Sequence, residues 1–184
     1  MSRLDSQKRG NVNQHEPESH TDDGLICQDW MTAKVHTVKP LDSVAHARAL
    51  IEEHRINQLP VVKDGILVGI VTDRDLRDAI NAVTTSANEA RTVEPAPGRP
   101  EQIPVEAVMT HNAMTLSPHS SVVAAAELMR RERIGSVPIV DGRALVGIIT
   151  RSDILKVFVA RENDRARRAS GTGTHGSKQH RKEN

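Results

Sequence analysis

An amphipathic stretch followed by two β-branched runs and a second polar-capped stretch occurs twice along this chain. Val44, Ala47, Leu50 and Ile51 recur at helical spacing and predict one apolar face, and Val122, Ala125, Leu128 and Met129 predict the same face again. Leu59 to Val62 and Leu67 to Thr72 predict two strands joined by a tight turn at Asp64-Gly65. Their counterparts are Val137 to Val140 and Leu145 to Thr150 around Asp141-Gly142, where the Asp-Gly pair slips by one residue at constant loop length. A short extended piece precedes each helix, Val35 to Val38 or Ala113 to Leu116, and ends at Pro40 or Pro118. Asp42 or Ser120 then offers an N-cap. A closing helix starts after Thr72 and after Thr150, so each unit reads β-α-β-β-α.

The repetition is gapless. Met31 to Ile80 aligns on Met109 to Phe158 at a constant offset of 78, with roughly a third of the positions identical. Two copies of one unit bury complementary faces against each other, so a ligand site is expected in duplicate. The organisation expected is a disordered polar tail over 1–24, a first repeat over 25–83, a linker over 84–103, a second repeat over 104–160 and a disordered basic tail over 161–184. Pro95, Pro97, Gly98 and Pro100 mark the linker as an irregular connection.

Charge narrows the partners. Against 25 Lys plus Arg stand 24 Asp plus Glu, a net +1 that demands neither a polyanion nor an acidic membrane. One cysteine, Cys27, forms no intramolecular disulfide and fits a reducing compartment. With no signal-like apolar run and no stretch near about 18 apolar residues, the chain reads as soluble and cytoplasmic, with no membrane partner. One Trp, one Phe and no Tyr leave almost no rings to stack on a base, so a heterocycle would be gripped by aliphatic groups and backbone.

The sharpest chemical feature is Gly69-Ile70-Val71-Thr72-Asp73-Arg74-Asp75, repeated as Gly147-Ile148-Ile149-Thr150-Arg151-Ser152-Asp153. A Thr three residues before an Asp at a strand-to-helix junction is a capping box, which is its structural reading. Gly69 and Gly147 end the strands where a missing side chain lets a flat ligand approach the backbone. The helix start beyond them favours a phosphate, and the carboxylate can accept the two hydroxyls of a ribose.

With Met31-Thr32 and Met109-Thr110, Leu59-Pro60-Val61-Val62 and Val137-Pro138-Ile139-Val140, and both Gly-x-x-Thr-x-x-Asp segments, the chain resembles a tandem pair of cystathionine-β-synthase (CBS) domains, often called a Bateman module. The resemblance covers roughly 130 residues. It implies an α+β (mixed α/β) fold in which the repeats pack sheet to sheet with pseudo-two-fold symmetry, leaving two clefts for AMP, ADP, ATP or a related adenosyl ligand. Asp75 and Asp153 would hold ribose hydroxyls, and Thr72 and Thr150 would lie near ribose or phosphate. Residues around Val61 and Ile139, with the segments at Ala33 to Val35 and Asn112 to Met114 (Val35 and Ala113 among them), would flank the adenine. Arg55, Arg74, Arg133 and Arg151 are the candidate phosphate partners. The resemblance also implies a homodimer, an unidentified regulated protein and no catalysis or cofactor.

The copies differ at Asp73-Arg74 against Arg151-Ser152, and at Asn57-Gln58 against Gly135-Ser136. Unequal affinities follow, down to one silent site, with more phosphate charge expected at the second site. His36, His46, His54, His111 and His119 share no metal-ligand spacing, so no metal is expected. Two alternatives stand beside the sensor reading. One is an interaction or nucleic-acid-associated scaffold using the basic tail with Arg165, Arg167, Arg168, Lys178, Arg181 and Lys182, against which the near-neutral charge counts. The other is a detached regulatory piece of an enzyme of the inosine monophosphate dehydrogenase kind.

Overall fold

A computed structural model describes residues 25–89 and 99–171. The expected tails over 1–24 and 172–184 and the middle of the linker, 90–98, lie outside the described residues. The elements run in the order α1 (Cys27–Trp30), α2 (Val44–His54), β1 (Gln58–Lys63), β2 (Ile66–Thr72), α3 (Asp73–Glu89), a 3₁₀ turn (Val105–Ala107), β3 (Thr110–His111), α4 (Val122–Glu132), β4 (Ser136–Asp141), β5 (Ala144–Thr150) and α5 (Arg151–Gly171). The α+β class is as expected. Two boundaries move: the first six residues assigned to the linker continue α3, and the first eleven of the basic tail continue α5 as an exposed helix.

The hairpin pairings recur at the sequence offset. In the β1–β2 hairpin Gln58 faces Thr72 and Lys63 faces Ile66, while in β4–β5 Ser136 faces Thr150 and Asp141 faces Ala144. Both hairpins carry a bulge at the same place, after Val61 and after Ile139. The hairpins join through the single pair Ile66–Ala144, two residues that are each other's equivalents, so the pseudo-two-fold axis passes between them. The slipped Asp-Gly pair changes the turn without changing its length. Asp64 and Gly65 both take positive φ, 51° and 79°, whereas in the second turn only Gly142, at 61°, does so.

Each helix face packs as the spacing predicts. Val44, Ala47 and Ile51 enter one core with Leu59, Val61, Val71 and Leu76. Val122, Ala125 and Met129 enter the other with Val137, Ile139, Ile149 and Val157. The caps sit one residue later than expected. Ser43 Oγ accepts from His46 N at 3.1 Å and Ser121 Oγ accepts from Ala124 N at 3.0 Å. Asp42 and Ser120 instead close the preceding turns, accepting from Lys39 N at 2.7 Å and Ser117 N at 3.1 Å. The extended pieces before the helices are not full strands: Val38 and Leu116 each make one parallel bridge, to Val61 and Ile139. Pro60 and Pro138, inside the facing strands, have no N–H to donate, which keeps these ladders short.

The repeats also exchange their leading segments. Val105, fully buried, belongs to the core of the first repeat, and Cys27, fully buried, belongs to that of the second. The exchange is hydrogen-bonded symmetrically: Val44 N donates to Ile103 O and Val122 N to Leu25 O, Val105 N to Asp42 O and Cys27 N to Ser120 O, all at 2.8–2.9 Å. The principal contacts between repeats therefore run through strands and swapped segments, with α2–α3 and α4–α5 on the outside. Neither sequence repeat completes its own core.

Candidate functional site

The segment exchange is what builds a cleft from both repeats. Met109 leads into β3, which pairs antiparallel with β2 through Ile70–Thr110 and Gly69–His111. Met31-Thr32 makes the equivalent bridge on the other side, Thr32 and Ile148 exchanging N–H···O bonds of 2.9 and 3.0 Å. Glycine is required beneath each crossing. A Cβ on Gly69 would lie 2.8 Å from both Met109 Sδ and Thr110 O, and one on Gly147 would overlap Met31. The expectation that these glycines admit a ligand is thereby corrected: they admit the partner repeat.

Beside the β2–β3 crossing lies a cleft of about 400 Å³. The first repeat supplies Gln58, Ile70 and Thr72, and the second supplies Thr110, Asn112 to Met114, Glu132 to Ser136 and Pro138. Its size falls in the range of small-molecule sites. Of the expected residues, Thr72, Ala113 and Arg133 meet here, although they come from different repeats. Val61 and Ile139 do not wall it. Both are fully buried in the two cores, and Ile70 and Pro138 provide the apolar walls instead. Ile70, Thr110, Glu132 and Ile134 were absent from the expected set because only the exchanged chain path brings them together. The recurrence of Met-Thr was the available signal. Val35 and Arg55, the equivalents of Ala113 and Arg133, sit on the opposite side of the pseudo-two-fold axis.

Thr72, on the cleft wall, opens a Thr-x-x-Asp segment that folds as a capping box. Asp75 Oδ2 accepts from Thr72 N at 2.9 Å and from Thr72 Oγ1 at 2.7 Å, and Asp75 N donates back to Thr72 Oγ1 at 3.3 Å. The other oxygen, Oδ1, has no partner among the described residues. Asp153 Oδ2 is held in the same way by Thr150 N at 2.9 Å and Thr150 Oγ1 at 2.7 Å. Here Oδ1 is taken as well, by Lys156 Nζ at 2.8 Å, and the residue is only 3 % exposed. Burial pushes the Asp153 carboxyl upward, but the hydrogen bonds from Lys156 and Thr150 and the Lys156 charge outweigh it, leaving the carboxyl below its ordinary value.

The charged side chains that differ between the copies are engaged locally, the acid of the first copy by arginines and the arginine of the second by a backbone carbonyl. Asp73 is bound by Arg77 Nη2 at 2.9 Å and Arg48 Nη1 at 3.3 Å. Arg74 faces Asp78, with 3.7 Å between Nε and Oδ2, and Arg151 Nη2 donates to Ile134 O at 3.0 Å. Arg133 is the expected arginine that lines the cleft. It holds the left-handed conformation at the end of α4, φ 57°, as Arg55 does after α2 at 51°. No group of three or more His, Cys, Asp or Glu side chains among the described residues could hold a metal ion. Among the described residues no helix is long and apolar enough to cross a membrane.

Comparison with known proteins agrees with this architecture. The CBS domain model matches residues 27–82 and 105–160. The chain is 35 % identical over 127 residues to the CBS domain-containing protein YhcV of Bacillus subtilis, covering 69 % of this chain and 81 % of that protein. Inosine-5′-monophosphate dehydrogenase of Mycobacterium tuberculosis is 36 % identical over 122 residues, covering 65 % of this chain and 20 % of the enzyme. CBSX2 of Arabidopsis thaliana, solved in complex with AMP, superposes with a TM-score of 0.62 at 27 % identity, covering 76 % of this chain and 99 % of that one. The CBS domain pair of MJ0100, solved with 5′-methylthioadenosine and S-adenosyl-L-methionine, gives 0.60 at 29 % identity, covering 74 % and 98 %. With two matched repeats, a shared fold and a relative of similar extent, the chain belongs to the CBS domain family as a tandem pair.

Proposed function

We propose that this chain is a non-catalytic sensor that binds an adenine nucleotide, or a related adenosyl ligand, between its two repeats. The observation that carries the reading is the cleft in which Thr72 of one repeat, hydrogen-bonded to the half-free Asp75 behind it, shares the lining with Ala113 and Arg133 of the other. The unpartnered Asp75 Oδ1 is the acceptor for a ribose hydroxyl, Ile70 and Pro138 grip the base, and Arg133 meets a phosphate. Solved relatives bound to AMP and to S-adenosyl-L-methionine support the ligand class. Because ligand spans both repeats, binding changes how they are held together, and it regulates only through unequal affinity for the resulting states. The regulated partner is a second protein or a second copy of this chain. Self-association fits the apolar strip on α4 and α5, where Val123, Leu155, Phe158 and Val159 are 51–64 % exposed.

Calorimetry with AMP, ADP, ATP and S-adenosyl-L-methionine tests the reading. A hydrogen bond to a charged group contributes about 1.5–3 kcal/mol, so Asp75→Ala lowers affinity about tenfold to a hundredfold. Absence of heat with all four ligands rejects the proposal. Trp30, packed against the second core beside the Met31-Thr32 crossing, gives a fluorescence readout of any change in repeat packing. Sedimentation as a monomer, with and without ligand, rejects regulation through self-association. The rival nucleic-acid reading rests on exposed Arg161, Arg165, Arg167 and Arg168 along α5, but Glu162 and Asp164 interrupt that run. It requires a salt-sensitive shift of RNA or DNA that disappears on deleting residues 161–184.

A further inference from the structure

The pseudo-two-fold axis demands a second cleft, whose walls are found by moving each residue of the first by the offset of 78. Among the positions that break the symmetry, three bear on a ligand. Met114 and Glu132, which line the open cleft, are replaced by His36 and His54. Those two imidazoles stack on each other, with centroids 3.7 Å apart and an interplanar angle of 18°. A ring stack at these lining positions takes up space in the mate cleft that a flat ligand would need. It ties the segment before Val38 to the last turn of α2.

The third position lies at the helix start. Lys156 reaches Asp153 Oδ1 at 2.8 Å, and its equivalent in the first repeat is Asp78, a reversal of charge. Asp78 cannot serve Asp75 in that way, and it faces Arg74 instead. One carboxylate therefore keeps a free acceptor, while the other is saturated by its own helix and buried. The stack and the lysine are independent contacts from different elements: one changes the lining of the mate cleft, and the other takes the carboxylate oxygen that a ribose hydroxyl would need.

The geometry points to a receptor with one working site per chain: the adenosyl ligand enters the cleft at Thr72, beside Asp75, and the mate cleft is disabled by the His36–His54 stack in its lining and by Lys156, which occupies the Asp153 carboxylate. This rests on the sensor reading above and adds which half of the pseudo-symmetric pair is used. The closure is a property of three side chains, not of the backbone, so it is reversible by substitution.

Calorimetric stoichiometry with AMP, taken together with the other adenosyl ligands, tests it on the full chain. Wild type is expected to bind one ligand per chain, with Asp75→Asn lowering affinity at least tenfold. The triple variant His36→Met, His54→Glu and Lys156→Ala, with two of its changes copied from the open cleft, is expected to bind two. Wild-type stoichiometry of two, or unchanged affinity in Asp75→Asn, overturns the inference while leaving the sensor reading intact. A folded triple variant that still binds one does the same. No binding by wild type to any adenosyl ligand removes the sensor reading itself, and this inference with it. A measurement without substitution guards against misfolding: imidazole resonances of His36 and His54 are followed during titration of wild type. Signals that stay fixed through saturation support the closed mate cleft, and signals that report loss of the stack along the binding curve overturn it.

Discussion

Adding one methyl group at each strand glycine tests whether the segment exchange holds the molecule together. Gly69→Ala places a Cβ 2.8 Å from Met109 Sδ and, at the same distance, from the carbonyl oxygen of Thr110. The first obstacle is a flexible side chain. The second is backbone, fixed in the β2–β3 ladder by the pairs Gly69–His111 and Ile70–Thr110. For Gly147→Ala the three nearest atoms all belong to the flexible side chain of Met31: Sδ, Cγ and Cε. Overpacking of this kind costs about 1–3 kcal/mol. For a domain of this size that lowers Tm by about 3–10 °C. The informative quantity is the rescue. Met31→Ala alone costs about 1–2 kcal/mol as a half-buried side chain, yet in the Gly147→Ala background it removes the three nearest contacts and restores most of the loss. Met109→Ala cannot do the same for Gly69→Ala, because Thr110 O remains. Urea unfolding of the four single and two double variants measures both cycles. Coupling at Gly147–Met31 above about 1 kcal/mol with little at Gly69–Met109 is expected. Equal coupling in the two cycles, or two alanine variants as stable as wild type, refutes the crossing geometry. Since Thr110 also walls the cleft, Gly69→Ala is expected to weaken ligand binding as well.

Three further outcomes follow from side-chain geometry. Ser121→Ala costs about 1 kcal/mol of stability and Ser120→Ala clearly less, because Ser121 accepts the α4 amide; chemical denaturation of the two decides which residue caps. A carboxyl whose folded pKa is depressed contributes stability that is fully present above the unfolded value, about 3.9, and lost as pH falls through the folded value. Asp153 is such a group, so the urea midpoint of wild type drops below about pH 4 more steeply than that of Asp153→Asn, and parallel curves contradict the assignment. Arg133→Gly separates stability from binding. It relieves a left-handed non-glycine residue, a gain of about 0.5–1 kcal/mol after the added freedom of the unfolded chain, and it removes the cleft arginine, so Tm rises while AMP affinity falls; a fall in both shows that the side chain also serves the fold.

The periodic elements were legible because each is a local consequence of spacing. Val44, Ala47 and Ile51 must share a helix face, and the Asp-Gly turns must reverse the chain, whatever surrounds them. The caps moved from Asp42 and Ser120 to Ser43 and Ser121 because two adjacent polar residues compete, and the turn after each proline takes the first. The helical starts of the linker and the basic tail were misread for a related reason. Their composition is polar, but α3 and α5 are already nucleated on packed turns, and propagation costs much less than nucleation. The glycines show a deeper limit. Their need for space was read correctly from sequence, but what fills that space comes from about 40 residues away in one case and over 100 in the other, a partner no local pattern names.

The same limit governs the site. Aligning the repeats suggests two equivalent pockets, each carrying its own Thr, Asp and Arg. The exchanged segments instead make the observed cleft a composite, with Thr72 from one copy facing Arg133 from the other. A substitution in either repeat can therefore alter the corresponding walls of different clefts, which lets the two diverge without disturbing the shared core. His36, His54 and Lys156 are changes of this kind: each lies off the buried stripe, and none alters the paired backbone register. Duplication thus supplies the scaffold by symmetry, and a few surface side chains decide how much of that symmetry survives in binding. If copying Met114 and Glu132 onto the opposite walls, with Lys156 removed, opens a second site, the asymmetry resides in those side chains; if it does not, it resides in the backbone or in Asp153 itself.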